Sequence, residues 1–245
     1  MKILVYNIRY GVGDGTSSAL PVPGARYLYA EAAGLDRISR FIAEQNADIV
    51  GLIEVDIGSM RSRRVNQAEA IAAALGHYSC YASKYAEESM NQLLPIVRKQ
   101  ANAFLASPAV RGERFHYFPQ GVKRLVIELE LDDVAIFLVH LSLKYRHRHL
   151  QLRQLYEMVT KCPKPVIVAG DFNTFWGEDE IFLFMKAAGL QNANRLSTPT
   201  YPTRSPRMEL DFILHSEQIE IGSFAVPQVP FSDHLPLVCE FEVRR

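Results

Sequence analysis

The sequence lacks a surplus of either charge: 27 lysines and arginines stand against 27 aspartates and glutamates in 245 residues. A general nucleic-acid binder usually carries a basic excess, so the balance argues against that class while leaving room for a local basic cleft. Cysteine is scarce. Cys80, Cys162 and Cys239 are far apart and form neither a CxxC pair nor a zinc spacing, which points to free, buried thiols in a reducing compartment. No apolar run approaches the roughly 18 residues that span a bilayer. The opening MKILVYNIRY reads as a strand rather than a signal peptide. The expectation is therefore a cytoplasmic protein without a transmembrane segment; nothing in the sequence sets the oligomeric state, for which a monomer is the default. Repeats, low-complexity tracts and long linkers are also missing, so a single domain over 1–245 is expected, and 48% apolar residues suffice for its core.

What the sequence does contain is short apolar runs of strand length: Ile3–Tyr6, Ile49–Ile53, Ala103–Ala106, Leu125–Leu131, Val134–Leu141, Val166–Ala169, Leu210–Leu214 and Leu237–Val243. In RLVIELEL the apolar residues alternate with Glu128 and Glu130, the pattern of a half-buried antiparallel strand. Asp132 and Asp133 form a short turn to the next run, VAIFLVHL, which is apolar on both faces. Helical spacing appears in LDRISRFIAEQN, in NQAEAIAAALGH with Asn66 as N-cap and Gly76 as stop, in HLQLRQLYEMV, and from Trp176 to Leu190. In the third of these, Leu152, Leu155, Tyr156 and Val159 share a face, and the preceding RHRH reads as a solvated helix surface. Two irregular stretches, Gly11–Ala25 and Leu196–Arg207, have the length of functional loops. The sum is an α/β fold with sheets packed face to face and helices outside.

Polar residues recur where these strands end. Asn7 follows ILVY, Glu54 follows IVGLI, His140 lies in FLVHL, Asp171 and Asn173 follow VIVAG, Asp211 lies in LDFIL, and Asp233 and His234 precede the last strand. Each has an ordinary explanation, as a turn former or a satisfied core residue. Asp211 resists it most, because a lone buried carboxylate is costly. Facing sheets would bring all these ends to one rim. An oxygen set of Asp, Glu and Asn suits a hard cation such as Mg²⁺ or Mn²⁺, and histidines beside it suit phosphate chemistry. In extended backbone Asp171 and Asn173 would point the same way and share one water, with Phe172 in the core and Gly170 allowing close approach of the chain. Asp211 beside His234 would orient the imidazole and favour its charged form.

YNIR, GLIEVD, VHLS, AGDFNT, LDFIL and SDHLPL, in this order and over Tyr6 to Val238, resemble the endonuclease/exonuclease/phosphatase (DNase I-like) superfamily. The resemblance implies a four-layer α/β sandwich: two mixed, mostly antiparallel sheets face to face, with outer helices. It also implies metal-dependent hydrolysis of a phosphodiester or phosphomonoester, with Mg²⁺ or Mn²⁺ as cofactor. By the same resemblance Glu54 is the principal metal ligand, with Asn7 beside it and Asp233 in support. Asp171 orients or deprotonates the attacking water with help from Asn173, His234 contacts the scissile phosphate, Asp211 orients His234, and His140 assists the leaving group. Asn102 and Arg124 are matched to substrate-side positions.

Ile53, Val139, Ala101 and Ala106 depart from the family pattern at secondary polar positions, which bears on substrate more than on activity. Arg61, Arg63 and Arg64, and Arg204 with Arg207, lie in loops that could rim a phosphate cleft. The phosphoester substrate could be a small molecule, a lipid headgroup or a nucleic acid. The alternatives to a small-substrate esterase are a DNA or RNA nuclease of the same superfamily and, in another class, a non-catalytic scaffold retaining the fold. Dispersed aromatic residues offer no platform for a carbohydrate-binding module.

Overall fold

The apolar runs pair into two six-stranded sheets. The computed structural model describes residues 1–14, 32–85, 89–107 and 109–244. In chain order its elements are β1 (Lys2–Asn7), α1 (Ala32–Gln45), β2 (Ile49–Asp56), α2 (Gln67–Leu75), β3 (Tyr78–Ser83), β4 (Gln100–Ala106), β5 (Gly112–Tyr117), β6 (Leu125–Glu130), β7 (Ala135–His140), α3 (Tyr145–Lys161), β8 (Val166–Asp171), α4 (Phe182–Ala188), β9 (Leu190–Asn192), β10 (Asp211–Ser216), β11 (Ile219–Ala225) and β12 (Leu237–Val243). One sheet runs β11-β12-β1-β2-β4-β3 and the other β5-β6-β7-β8-β10-β9. Each has one parallel pair at its centre, β1 with β2 and β7 with β8, and antiparallel pairs elsewhere.

Period-two alternation divides the apolar residues into three layers. Ile3, Val5, Ile49 and Ile53 of the first sheet meet Ile127, Leu138, Ile167 and Ile213 of the second. The outer face of the first sheet packs Leu4, Val50 and Leu52 under Ile38, Phe41 and Ile42 of α1 and Ile71 of α2. The outer face of the second packs Phe137, Val168 and Phe212 under Leu152 and Leu155 of α3 and Phe184 and Met185 of α4. The result is the helix–sheet–sheet–helix sandwich expected from the sequence. No helix among the described residues is long and apolar enough to cross a membrane.

Local signals held where they rested on caps. The Asn66 side chain accepts from the amides of Ala68 and Glu69, and Gly76 closes α2 in the left-handed conformation at φ 68°. They failed where burial depended on tertiary partners. The helix expected from Trp176 to Leu190 is a 3-10 turn at Gly177–Glu180 followed by the shorter α4, and Leu190 already belongs to β9. The RHRH face is not uniformly solvated: Arg148 is buried, its guanidinium paired with Glu180 and bonded to the carbonyls of Ser142 and Leu143. Tyr156 lies on the exposed side of α3. Strand β6 is covered on both faces, because Val126 packs beneath α3 and Glu128 is enclosed by Arg114 and His116. Of the three free thiols, Cys80 and Cys239 are buried and Cys162 is only partly so. Most of the loop Gly11–Ala25 lies outside the described residues.

Two glycines set how closely the chain packs. At Gly51 a Cβ would stand 2.9 Å from Leu138 of the opposite sheet. At Gly170, where φ is 142°, it would stand 1.9 Å from the Val139 carbonyl oxygen of the adjacent strand. Neither the backbone angle nor the space admits a side chain at Gly170. Gly170→Ala should therefore destabilise the fold by about 4 kcal/mol or more, the range of severe core defects. Thermal unfolding checks this: a melting point within a few degrees of wild type would contradict it.

Candidate active site

The carboxyl ends of β1, β2, β7 and β8 and the segment before β12 meet at one rim. Strand β8 delivers Asp171 directly opposite His140 of β7 and Asp211 of β10. Phe172 turns into the outer core against Phe212, as its place between two polar residues suggested. The backbone then leaves the extended form: Asn173 has φ 53°. Asp171 Oδ1 accepts the Asn173 amide at 3.0 Å, and Asn173 Nδ2 donates to the Leu141 carbonyl at 3.0 Å. The two side chains therefore do not project in parallel as extended backbone would require. Asn173 instead ties the end of β8 to the end of β7.

Asp171 is enclosed by side-chain nitrogens. Asn7 Nδ2 donates to its Oδ2 at 3.1 Å, His140 Nε2 lies 3.2 Å from that oxygen, and His234 Nε2 lies 3.9 Å away. Burial alone would push the Asp171 carboxyl up. His234, then His140 and Lys123, outweigh it and hold the group well below the usual carboxylate range.

His234 sits between two carboxylates. Its Nδ1–H donates to Asp211 Oδ2 at 2.8 Å, and Thr200 Oγ1 donates to the same oxygen at 2.7 Å. Burial opposes a charged imidazole, but Asp211 and then Asp171 carry its pKa up to about 10. Burial also pushes the Asp211 carboxyl up. The proton still belongs on His234, since both of its ring nitrogens face carboxylate oxygens. Asp171, Asp211 and His234 form a buried cluster of the kind that can hold a metal. Here the His234 ring stands between the two carboxylates, with a nitrogen turned to each.

Glu54 reaches the site through a bulge. Leu52 pairs with Ala103 and Val55 with Ala101, so Ile53 and Glu54 together oppose Asn102. Glu54 takes φ 58°, and its amide donates to Asn102 Oδ1 at 3.3 Å. Burial would raise the Glu54 carboxyl, yet Lys84, His140 and Lys123 bring it down to about 2. Asn7 sits at the end of β1, where Ser232 Oγ donates to its carbonyl at 2.6 Å. Asp233 is paired with Arg9 at 3.3 Å, while burial pushes its carboxyl up.

Asn7, Glu54, Asn102, His140, Asp171, Asn173, Asp211, Asp233 and His234 are thus gathered at one end of the sandwich. Arg124 follows Lys123 and is in part used structurally: its Nε donates to the Phe118 carbonyl, so it braces the turn before β6. Arg61 is not a rim residue. It is buried and paired with Asp56 at 2.9 Å. Arg204 bonds Asp14 at 2.6 Å, tying the Pro-rich loop to the start of the Gly-rich one.

Two lysines join the site unannounced. Lys84, just after β3, is buried, with Nζ 2.8 Å from the Tyr10 hydroxyl and 3.3 Å from Glu54 Oε1. Lys123, just before β6, places Nζ against His140 Nε2. Burial and then Lys123 and Lys84 push the His140 imidazole down to about 3, despite Asp171. His140 is therefore neutral, and the cation beside it is Lys123. Both lysines sit within a residue or two of a strand end, the one signal that could have marked them.

Fold and site together define a DNase I-like sandwich with a buried acid–imidazolium centre. The Endonuclease/Exonuclease/phosphatase family matches residues 4–234, and the chain belongs to that family. It is 32% identical over 129 residues to the uncharacterized protein YbhP of Escherichia coli K12, an alignment covering 49% of this chain and 51% of YbhP. The chain thus spans about half the length of the curated relatives it matches. A functionally unknown conserved protein from Enterococcus faecalis V583 superposes with a TM-score of 0.74 at 15% identity, covering 100% of both chains. The mannosyl-6-phosphatase from Bacteroides thetaiotaomicron VPI-5482 superposes with a TM-score of 0.73 at 13% identity, covering 99% of both.

The raised pKa of His234 fixes the sign of its pH effect. Its contribution to stability is complete below the ordinary value of about 6.5 and fades as pH rises towards about 10. Nitrogen-detected NMR of the imidazole should show His234 doubly protonated at pH 8, and Asp211→Asn should bring its titration down by at least about one unit. A neutral His234 at pH 7 in the wild type would contradict the assignment.

Proposed function

We propose that the chain is a divalent-metal-dependent phosphoric ester hydrolase acting on a phosphodiester or phosphomonoester by attack of a water. The observation that carries this is the placing of Asp171 Oδ2 3.9 Å from His234 Nε2, among neighbours that favour the ionised carboxyl and the charged imidazole. An acceptor for water and a donor for a phosphoryl oxygen stand side by side. The Bacteroides protein of the same fold is named a mannosyl-6-phosphatase, which supports a reading as phosphoester chemistry. The donor set fits a hard divalent ion, since Glu54 is ionised and Asn7 and Asp233 add oxygen atoms without a thiolate. Glu54 and Asn7 would hold the ion, with Asp233 in support. When bound, it would neutralise charge on the phosphoryl oxygens.

The side chains divide the remaining work. Asp171 accepts a hydrogen bond from the attacking water and orients it. Asn7 and the Asn173 amide hold that carboxylate in place. His234 donates from Nε2 to the phosphate while Asp211 keeps its tautomer and charge. His140 is neutral, which transfers the part of leaving-group donor to Lys123, whose ammonium it positions.

With Mg²⁺ or Mn²⁺ and a panel of plasmid, RNA, sphingomyelin, sugar and inositol phosphates and para-nitrophenyl esters, wild type should hydrolyse at least one class and EDTA should abolish it. Asp171→Asn should cut turnover by about a thousandfold or more while remaining folded. Equal rates for variant and wild type on every hydrolysed ester would sink the mechanism, and activity surviving chelation would sink the metal.

Lys123→Met separates leaving-group assistance from binding. It should slow an alkyl phosphoester by about a hundredfold and a para-nitrophenyl ester, whose leaving group needs no proton, much less. An equal loss on both would return Lys123 to a binding role.

A further inference from the structure

Of the lysines among the described residues, Lys84 alone is buried. Its position is built rather than incidental. Its Nζ bonds the Tyr10 hydroxyl at 2.8 Å, and Tyr10 belongs to the turn Arg9–Gly11 in the left-handed region at φ 56°. The Tyr10 ring carries the Arg61 guanidinium 3.7 Å above its centroid, and the Tyr10 carbonyl accepts from Gln67 Nε2 at 2.8 Å. Arg61 is in turn fixed by Asp56, whose carboxylate also accepts from the Ser59 amide and from the Ser59 and Ser62 hydroxyls. A buried column, Asp56–Arg61–Tyr10, thus ends in an ammonium aimed at Glu54 Oε1, 3.3 Å away.

An exposed lysine would swing aside when a divalent ion arrived. This one has no solvent to swing into, so its Nζ stays against one oxygen of Glu54, even though burial lowers its pKa to about 8. Sites that take two ions 3.5–4 Å apart need carboxylates to spare between them. The other carboxylates here are engaged by the protein: Asp171 by Asn7, His140 and His234, Asp211 by His234 and Thr200, and Asp233 by Arg9. Lys123 adds a second ammonium on the His140 side.

We propose that the Lys84 ammonium stands in for a second divalent ion, so that the site binds one ion per chain, and that its charge weakens the hold on that ion. The inference rests on Glu54 being the metal ligand. It makes Lys84 a residue that sets metal number and affinity, a part that no spacing in the chain suggests.

Titration of the purified protein with Mn²⁺, followed by the paramagnetic resonance of free Mn²⁺, reads both quantities without any substrate. Wild type should bind one Mn²⁺ per chain. Lys84→Gln and Lys84→Met should bind at least about tenfold tighter, or take up a second ion, because a unit charge at contact distance has been removed. Lys84→Arg should stay close to wild type, and melting curves would confirm that the variants are folded. Two ions bound to wild type would overturn the proposal even if every Lys84 variant failed to fold. One ion lost in Glu54→Gln but bound equally in wild type and the neutral Lys84 variants would overturn the role of Lys84 while leaving the metal at Glu54. No Mn²⁺ bound to wild type at all would overturn the metal site and this inference with it.

Discussion

Asp171 is buried and charged at once, and the architecture around it follows from that conflict. A lone carboxylate taken out of water costs several kcal/mol. Its compensation comes from separate parts of the chain: Asn7 from β1, His140 from β7, the Asn173 amide beyond β8 and His234 before β12. These donors converge because the two sheets lie face to face with their central parallel pairs, β1–β2 and β7–β8, ending at the same rim. The inter-sheet core therefore does more than supply hydrophobic stabilisation. The Gly51–Leu138 contact sets the spacing at which donors from one sheet reach a carboxylate of the other, and the Gly170–Val139 approach sets that of the two strands carrying Asp171 and His140.

Charges alternate through the site. Lys84 faces Glu54, Lys123 faces the neutral His140, Asp171 follows, then His234, then Asp211. In a low-dielectric setting each member strengthens its neighbour. The pattern keeps two carboxylates ionised and one imidazole protonated near neutral pH. It also explains why a histidine in an apolar strand, His140, ends up uncharged while another at a strand end, His234, ends up charged. Burial acts on both. What differs is the balance of neighbours: Lys123 and Lys84 add to burial and outweigh Asp171 at the first, while Asp211 and Asp171 outweigh burial at the second.

The centre of the fold was legible because its strands are buried on both faces and read as apolar runs. The edges were not. Strand β5, GERFHY, and β11, IEIGSFA, lie at the outer margins of the sheets with mostly exposed side chains. Their pairing, not their hydrophobicity, makes them strands. β9 has three residues and borrows its register from β10. The carboxylates, asparagines and histidines of the site stood out as polar residues ending apolar runs. Lys84 and Lys123 did not, since lysine outside an apolar run reads as surface charge. Arg61 and Arg148 misled in different ways: Arg61 read as a residue that could rim a phosphate cleft and Arg148 as part of a solvated helix face, and each is buried against its own carboxylate. Asn173 was placed correctly in space, but its left-handed backbone re-aimed the side chain, which alternation along a strand cannot foresee.

The chemistry turns on where a divalent ion sits relative to the imidazolium. Glu54 with Asn7 is one candidate, and the cluster Asp171–Asp211–His234 is the other. Anomalous diffraction from crystals soaked in Mn²⁺ distinguishes them. A single peak within coordination distance of Glu54, with none between Asp171, Asp211 and His234, is the result expected. A peak inside that cluster, with His234 as a ligand, would contradict the assignment of His234 as a protonated donor and the chemistry built on it.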